Sequence, residues 1–261
     1  MAPCLWLAAS AAAQTSYSLR SPDRTIEVRI RAGSRILYDV LRDGKTLLQD
    51  STLSIRIDQA TLGRDVKVKS AKERSADQML DPPVRQKSAR IRDHYNELRL
   101  DTEDGLAVVF RAYDEGVAYR LETALSKAQV KVYSEEAVFQ FAADHTVFFP
   151  EEESFFSHNE RSYLPRKMSA IAAATLGSMP AVVDVGGVKV AIAESDVEDY
   201  PGLWLRGTGG NALTATFPPY PLKETLERYR DFKVTEAADY IAVTKGTRTF
   251  PWRLIDRKSV V

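Results

Sequence analysis

Carboxylates dominate the side chains that could do chemistry in this chain. Glu194, Asp196, Glu198 and Asp199 crowd together directly after the apolar run 188–193. Oxygen donors of this kind suit a hard cation such as Ca²⁺, which takes several oxygen ligands at flexible geometry, and a carboxylate at the end of a rigid strand is a suitable donor. One Glu is not a calcium site, however, and by spacing alone this group reads as a solvated acidic turn with Asp196 as a turn former. A second group, Glu151, Glu152 and Glu153, leads into Phe155, Phe156, Ser157, His158, Asn159, Glu160 and Arg161. Aromatics beside polar side chains fit a sugar, whose apolar faces stack while its hydroxyls need hydrogen bonds. The same residues also fit a charged surface loop with its aromatics tucked inward. His94, His145 and His158 lack the short spacing of a metal triad. The chain carries no serine nucleophile elbow, Gly-rich phosphate loop or paired-cysteine pattern. Cleavage of a glycoside needs two carboxyl groups flanking one bond; acidic residues are plentiful, and their spacing singles out no pair. From the residues themselves no catalytic side chain and no cofactor-binding side chain is assigned.

The elements that must position these groups are strands. Thr25-Ile26-Glu27-Val28-Arg29-Ile30 alternates apolar and mostly charged residues, the pattern of a half-buried strand. Leu53-Ser54-Ile55-Arg56-Ile57, Val66-Lys67-Val68 and Glu97-Leu98-Arg99-Leu100 repeat it. Asp43-Gly44, Asp104-Gly105 and Gly186-Gly187 lie between apolar runs and predict tight hairpins, because Gly tolerates positive φ. Asp114-Glu115-Gly116 predicts another. Two prolines at Pro82-Pro83 break any regular element there. Helix signals are sparse: 222–232 is expected to be a short helix or a charged loop, and 168–176 a turn or two of helix. No helix–strand rhythm supports a parallel sheet. The fold class is therefore all-β, a large two-sheet antiparallel β-sandwich, since each strand has one apolar face to bury. Nothing divides residues 15–255.

Several ordered segments resemble the N-terminal domain of glycoside hydrolase family 97. Phe110-Arg111-Ala112-Tyr113-Asp114-Glu115-Gly116-Val117-Ala118-Tyr119-Arg120 is similar to a signature shared by families 97 and 31. Family 97 is singled out by the order of the others: Ser21-Pro22-Asp23, Tyr38 with Asp43-Gly44-Lys45 and Ser51-Thr52-Leu53, Tyr95-Asn96-Glu97-Leu98, Ala193-Glu194-Ser195-Asp196 with Tyr200-Pro201-Gly202, and Thr244 through Arg253. The resemblance spans roughly 17–255. It implies a supersandwich of the galactose mutarotase-like type, preceding a (β/α)8 barrel that carries the catalytic carboxylates of a retaining or inverting α-glucosidase or α-galactosidase. It further implies a calcium ion at the active site, with Glu194 as the ligand lent by this domain and the remaining ligands from the barrel. The implied partners are that barrel and a carbohydrate substrate. Three alternatives share the fold: a stand-alone carbohydrate-binding module, the N-terminal domain of a family 31 hydrolase, and a mutarotase-like enzyme in which His145 or His158 meets a Glu in one cleft. Trp204 and Trp252 read as core or interdomain packing. A domain built to pack on a barrel is expected to expose an apolar patch.

Lys plus Arg and Asp plus Glu both total 36 in 261 residues, so the formal net charge is zero. That balance lacks the electrostatic footprint of a nucleic-acid binder or an anionic-membrane binder. The start of the chain, an Ala-rich apolar run ending in Ala11-Ala12-Ala13-Gln14, is too short to span a bilayer. Residues 1–14 are expected to be a signal-peptide remnant lacking its basic start, which implies a periplasmic or secreted protein. Cys4, the sole cysteine, falls inside it, so stability must come from core burial rather than disulfides. The last six residues, 256–261, are expected to be a non-native or truncated tail, because a plausible codon choice for them spells a sequencing adapter.

Overall fold

In the computed structural model, residues 14–84 and 88–258 are described. The signal-peptide expectation thus falls, apart from Gln14, outside the described residues. The strands in chain order are β1 (Thr15–Arg20), β2 (Ile26–Ala32), β3 (Ile36–Arg42), β4 (Lys45–Ile57), β5 (Ala60–Leu62), β6 (Val68–Leu80), β7 (Ile91–Thr102), β8 (Leu106–Tyr113) and β9 (Gly116–Gln140). They continue as β10 (Thr146–Phe149), β11 (Glu151–Glu152), β12 (Leu164–Lys167), β13 (Leu176–Gly177), β14 (Ala181–Val185), β15 (Val188–Ser195) and β16 (Trp204–Gly207). The last are β17 (Ala212–Thr216), β18 (Pro221–Arg228), β19 (Asp231–Ala237), β20 (Ala242–Thr249) and β21 (Trp252–Lys258). The only described helix is one 3₁₀ turn, Met168–Ala170, so the helical expectation for 168–176 shrinks to its first residues.

All ladders are antiparallel, and the hairpins fall where the turn residues put them. Arg42 pairs with Lys45 across Asp43-Gly44, Val185 with Val188 across the glycine pair, and Tyr113 with Gly116. The long strand β9 carries the chain from one layer to the other. Its first half sits between β8 and β21, in a sheet that runs from β6 through β7, β8, β9, β21, β15 and β14 to β10 and β12. Its second half joins β4, and through it β3, β2 and β1. Two apolar inner faces meet between these layers. Tyr38 of β3 packs on Phe110 of β8 and Tyr119 of β9, with ring centroids 5.6 and 5.3 Å away, and none of the three is more than 1% exposed. Offset aromatic pairs of this kind stabilise by about 0.5–1.5 kcal/mol beyond area burial.

One local reading needs correction. Residues 222–232 form neither helix nor loop: β18 and β19 make a separate two-stranded hairpin that pairs with no other described strand. Leu222, Leu226 and Tyr229 imitate helical spacing because β-bulges interrupt the alternation of this hairpin. Of the six residues expected to be a non-native or truncated tail, Asp256, Arg257 and Lys258 continue β21 and pair with Ala191, Val190 and Lys189 of β15, and 259–261 lie outside the described residues.

Candidate functional site

Glu194 lies directly opposite Arg253 in the β15–β21 ladder. Side chains alternate across a strand. Glu194 therefore shares its parity with the fully buried Val190 and Ile192 and turns toward the sandwich interior at the end of β15. Arg253 shares its parity with the buried Ile255 and is itself 0% exposed. From there the guanidinium reaches the opposite layer. Its Nε and Nη2 donate to the two carboxylate oxygens of Glu135 at 2.7 and 2.8 Å, and its Nη1 donates to Glu194 Oε2 at 2.7 Å. Glu135 is paired with Ile55 of β4, in the layer of β1 to β4, so one arginine fork ties both sheets together.

The second oxygen of Glu194 accepts a hydrogen bond from the Leu203 N–H at 2.9 Å. This bond comes from the loop Tyr200-Pro201-Gly202, and a Cβ on Gly202 would stand 3.3 Å from Glu194 Oε1. Tyr200 anchors that loop by packing edge-on against Phe217 and Phe250. Arg248 fixes the acidic turn itself: its guanidinium donates to the carbonyls of Glu198 and Asp199 at 2.9 and 3.1 Å. Asp196 and Asp199 adopt positive φ of 63° and 48°, as turn formers do. The acidic-turn reading thus holds for the exposed Asp196, Glu198 and Asp199, whereas Glu194 stands apart from them.

The electrostatics follow from burial. Loss of solvent pushes the Glu194 carboxyl above its ordinary value; the charge of Arg253 and the Leu203 N–H pull it back, and Glu135 adds to the rise. Burial works against the Arg253 charge, but Glu135 and Glu194 outweigh it and raise the group further. Two carboxylates around one guanidinium leave one negative charge uncompensated, at the partner that still meets solvent. The Glu194 side chain is 16% exposed, against 2% for Glu135.

The other singled-out residues serve the frame. Asp114 accepts from the Asp23 N–H at 2.9 Å, joining two of the family-like segments. Glu97 is buried and bridges Arg74 and Arg111 at 2.5 and 2.8 Å. Arg111 stacks on Tyr95 and Trp252, and Arg120 stacks on Trp252, so Trp252 is outer-face packing. Glu152, the last residue of β11, is buried and ion-paired to Arg161 at 2.7 Å; in the loop that follows, Phe155 packs edge-on against Trp204 and Phe156 is 51% exposed. One aromatic is tucked in and the next is not. Phe156, His158, Glu160 and Arg161 line a shallow groove of about 500 Å³ together with Asp231 and Phe232 at the tip of the β18–β19 hairpin. His94 lies in β7 beside Asp114, and His145 precedes β10 against Phe141, so neither shares that groove. Among the described residues no group of three or more His, Cys, Asp or Glu could hold a metal ion.

Arg253 and Glu135 were not recognisable as site residues from composition. The available signal was parity: a lone charge of each sign stands on the apolar parity of its strand, Arg253 with Ile255 and Glu135 with Ala137 and Phe139.

Comparison with known proteins agrees with this arrangement. A profile described as Glycosyl-hydrolase 97 N-terminal matches residues 19–257. A retaining alpha-galactosidase of Bacteroides thetaiotaomicron is 34% identical over 265 residues, covering 96% of this chain and 40% of the relative. Among solved structures, a glycoside hydrolase family 97 enzyme from Pseudoalteromonas sp. strain K8 in complex with acarbose superimposes with a TM-score of 0.77 at 19% identity, over 93% of this chain and 35% of that one. A beta-arabinopyranosidase superimposes with a TM-score of 0.78 at 22% identity, over 93% and 40%. The chain thus spans about 40% of the curated relative's length. The sandwich, the ordered motifs and the profile match together establish that this chain belongs to the glycosyl-hydrolase 97 N-terminal family.

Proposed function

We propose that this domain is the non-catalytic front part of an α-glycoside hydrolase, where it packs on a catalytic barrel, walls one side of the sugar pocket and lends Glu194 to a calcium ion. The observation that carries this reading is the uncompensated negative charge of the Glu135–Arg253–Glu194 cluster, held at the one member that meets solvent. The residues fit a share of such a site. Each Glu194 oxygen accepts one hydrogen bond, so lone pairs remain on both for a cation. They fit no more than a share, because Ca²⁺ takes 6–8 oxygens and the described residues hold no group of three or more His, Cys, Asp or Glu that could bind a metal ion. The missing donors belong to the rest of the polypeptide, as the length of the α-galactosidase relative suggests. When bound, the ion supplies positive charge that can stabilise sugar oxygens in the transition state. The task of this chain is positional: Arg253 and the Leu203 N–H hold one carboxylate rotamer, and Arg248 keeps the adjoining turn clear of it. The α-galactosidase relative makes α-galactosides the first substrates to examine, and a periplasmic or secreted address follows from the apolar start of the chain.

Calcium titration of the polypeptide in which this domain is followed by its catalytic region tests the reading. Glu194→Gln keeps the hydrogen-bond shape but removes the charge, and is expected to weaken calcium binding at least tenfold. Unchanged affinity would overturn the assignment of Glu194.

A further inference from the structure

The β18–β19 hairpin is built against its own interest. Both strands are exposed along nearly their whole length, and they form a sheet of two that no other described strand joins. Such ribbons are marginal in water without a third strand or a packed face. Register places Leu226 opposite Phe232, and Glu224 opposite Val234, so Leu226, Phe232 and Val234 share one face, with Glu224 at its edge nearer the base. They are 52, 57 and 41% exposed. Leu222 at the base and Tyr229 at the tip add further exposed apolar surface. The other face is polar, and Lys233–Glu227 and Lys223–Glu236 ion pairs border the ribbon. One largely apolar face and one solvated face is the pattern of a surface that a partner covers.

We infer that this apolar face is the seat of the catalytic domain of the same polypeptide, a deepening that rests on the function proposed above. Three observations select that occupant. First, the hairpin belongs to the same side of the sandwich as Glu194. The Leu203 N–H that holds Glu194 is adjacent to Trp204, Trp204 packs on Phe155, and Phe155 shares a groove with Asp231 and Phe232 of the hairpin tip. A domain that completes a cation site on Glu194 meets the hairpin on its way. Second, the chain spans 40% of its α-galactosidase relative, which leaves ample polypeptide to act as cover. Third, the patch is small. At roughly 100 Å² for a half-exposed large side chain, the three apolar residues of the face offer about 300 Å², and about 500 Å² with the flanking Leu222 and Tyr229, short of the ~800 Å² per partner of a stable interface between free proteins. A tethered domain needs less, because the linker raises its effective concentration to the millimolar range.

Hydroxyl-radical footprinting tests the inference on two proteins: this 261-residue chain, and the polypeptide in which it is followed by its catalytic region. Labelling of Leu226, Tyr229 and Phe232 is expected to fall at least fivefold in the longer protein. The double variant Leu226→Ser/Phe232→Ser, which alters only exposed positions, is expected to restore labelling of Tyr229 there. Equal labelling of the hairpin in both proteins would overturn the inference. So would protection in the 261-residue chain that grows with concentration alongside a dimer in sedimentation equilibrium, since the occupant would then be a second copy. Calcium titration of Glu194→Gln in the longer protein separates the two proposals. An exposed hairpin with calcium affinity lost removes the docking seat alone, and a protected hairpin with calcium affinity kept removes the role of Glu194 alone.

Discussion

Replacing Arg253 by Met should be among the most damaging single substitutions in this domain. The guanidinium has no exposed surface, and it makes three charge-assisted hydrogen bonds of 2.7–2.8 Å to two carboxylates. Met fills a similar volume but leaves Glu135 charged, 2% exposed and without its cation. Breaking a buried pair by removing one partner costs about 3–5 kcal/mol, because the remaining charge stays desolvated. A domain of ordinary stability has about 5–15 kcal/mol in total, so a large fraction is lost. With a urea m-value near 3 kcal/mol/M, the midpoint should drop by roughly 1–1.7 M. Adding Glu135→Leu removes the stranded charge and should recover about 2 kcal/mol, since an apolar replacement of both partners is often neutral. Arg253→Lys should fall between the two, because an ammonium keeps the charge but cannot fork onto both oxygens of Glu135. Equilibrium urea unfolding followed by tryptophan fluorescence reads all three. A midpoint for Arg253→Met within about 0.3 M of the parent, which is about 1 kcal/mol on the same m-value, would refute the claim that this cluster ties the layers together.

Other expectations concern the frame. Glu136 and Glu97 are each pushed up by burial, but hydrogen bonds and arginines (Ser54, Thr52, Arg64 and Arg35 for Glu136; Arg74 and Arg111 for Glu97) outweigh it, so both sit below the ordinary value of 4.5. A depressed carboxyl contributes stability that is present above the unfolded value and lost as pH falls through the folded one. Urea midpoints should therefore decline below about pH 4.5, and less steeply in Glu136→Gln/Glu97→Gln; an unchanged slope would contradict this. Gly207→Ala should destabilise by about 1–3 kcal/mol through overpacking, because its Cβ would stand 2.3 Å from the Ile171 carbonyl oxygen. Gly210→Ala, whose Cβ would approach nothing closer than Thr208 Oγ1 at 3.6 Å, should be nearly neutral in the same melts.

Much of the frame could be read before any coordinates, because turn chemistry is local. Asp43-Gly44, Gly186-Gly187 and Asp114-Glu115-Gly116 each close a hairpin at the expected residues. The β18–β19 ribbon escaped that reading for a physical reason. Its strands bury no face within this domain, so burial does not enforce alternation, and bulges shift Leu222 out of step with Leu226. Glu194 was singled out by family resemblance, and its setting was not. An acidic run after a strand reads as solvated, yet the first member keeps the inward parity of Val190 and Ile192. Its partners are 59 and 118 residues from each other's reach in sequence, Arg253 to Glu194 and Arg253 to Glu135, and only the stacking of two layers brings them together.

The central claim is that this domain supports chemistry carried by another part of its polypeptide. Incubating the purified 261-residue chain with p-nitrophenyl α-galactoside and α-glucoside in the presence of calcium tests it most directly. No nitrophenol release above the enzyme-free blank is expected; turnover that scales with protein concentration and persists in Glu194→Gln would contradict the account.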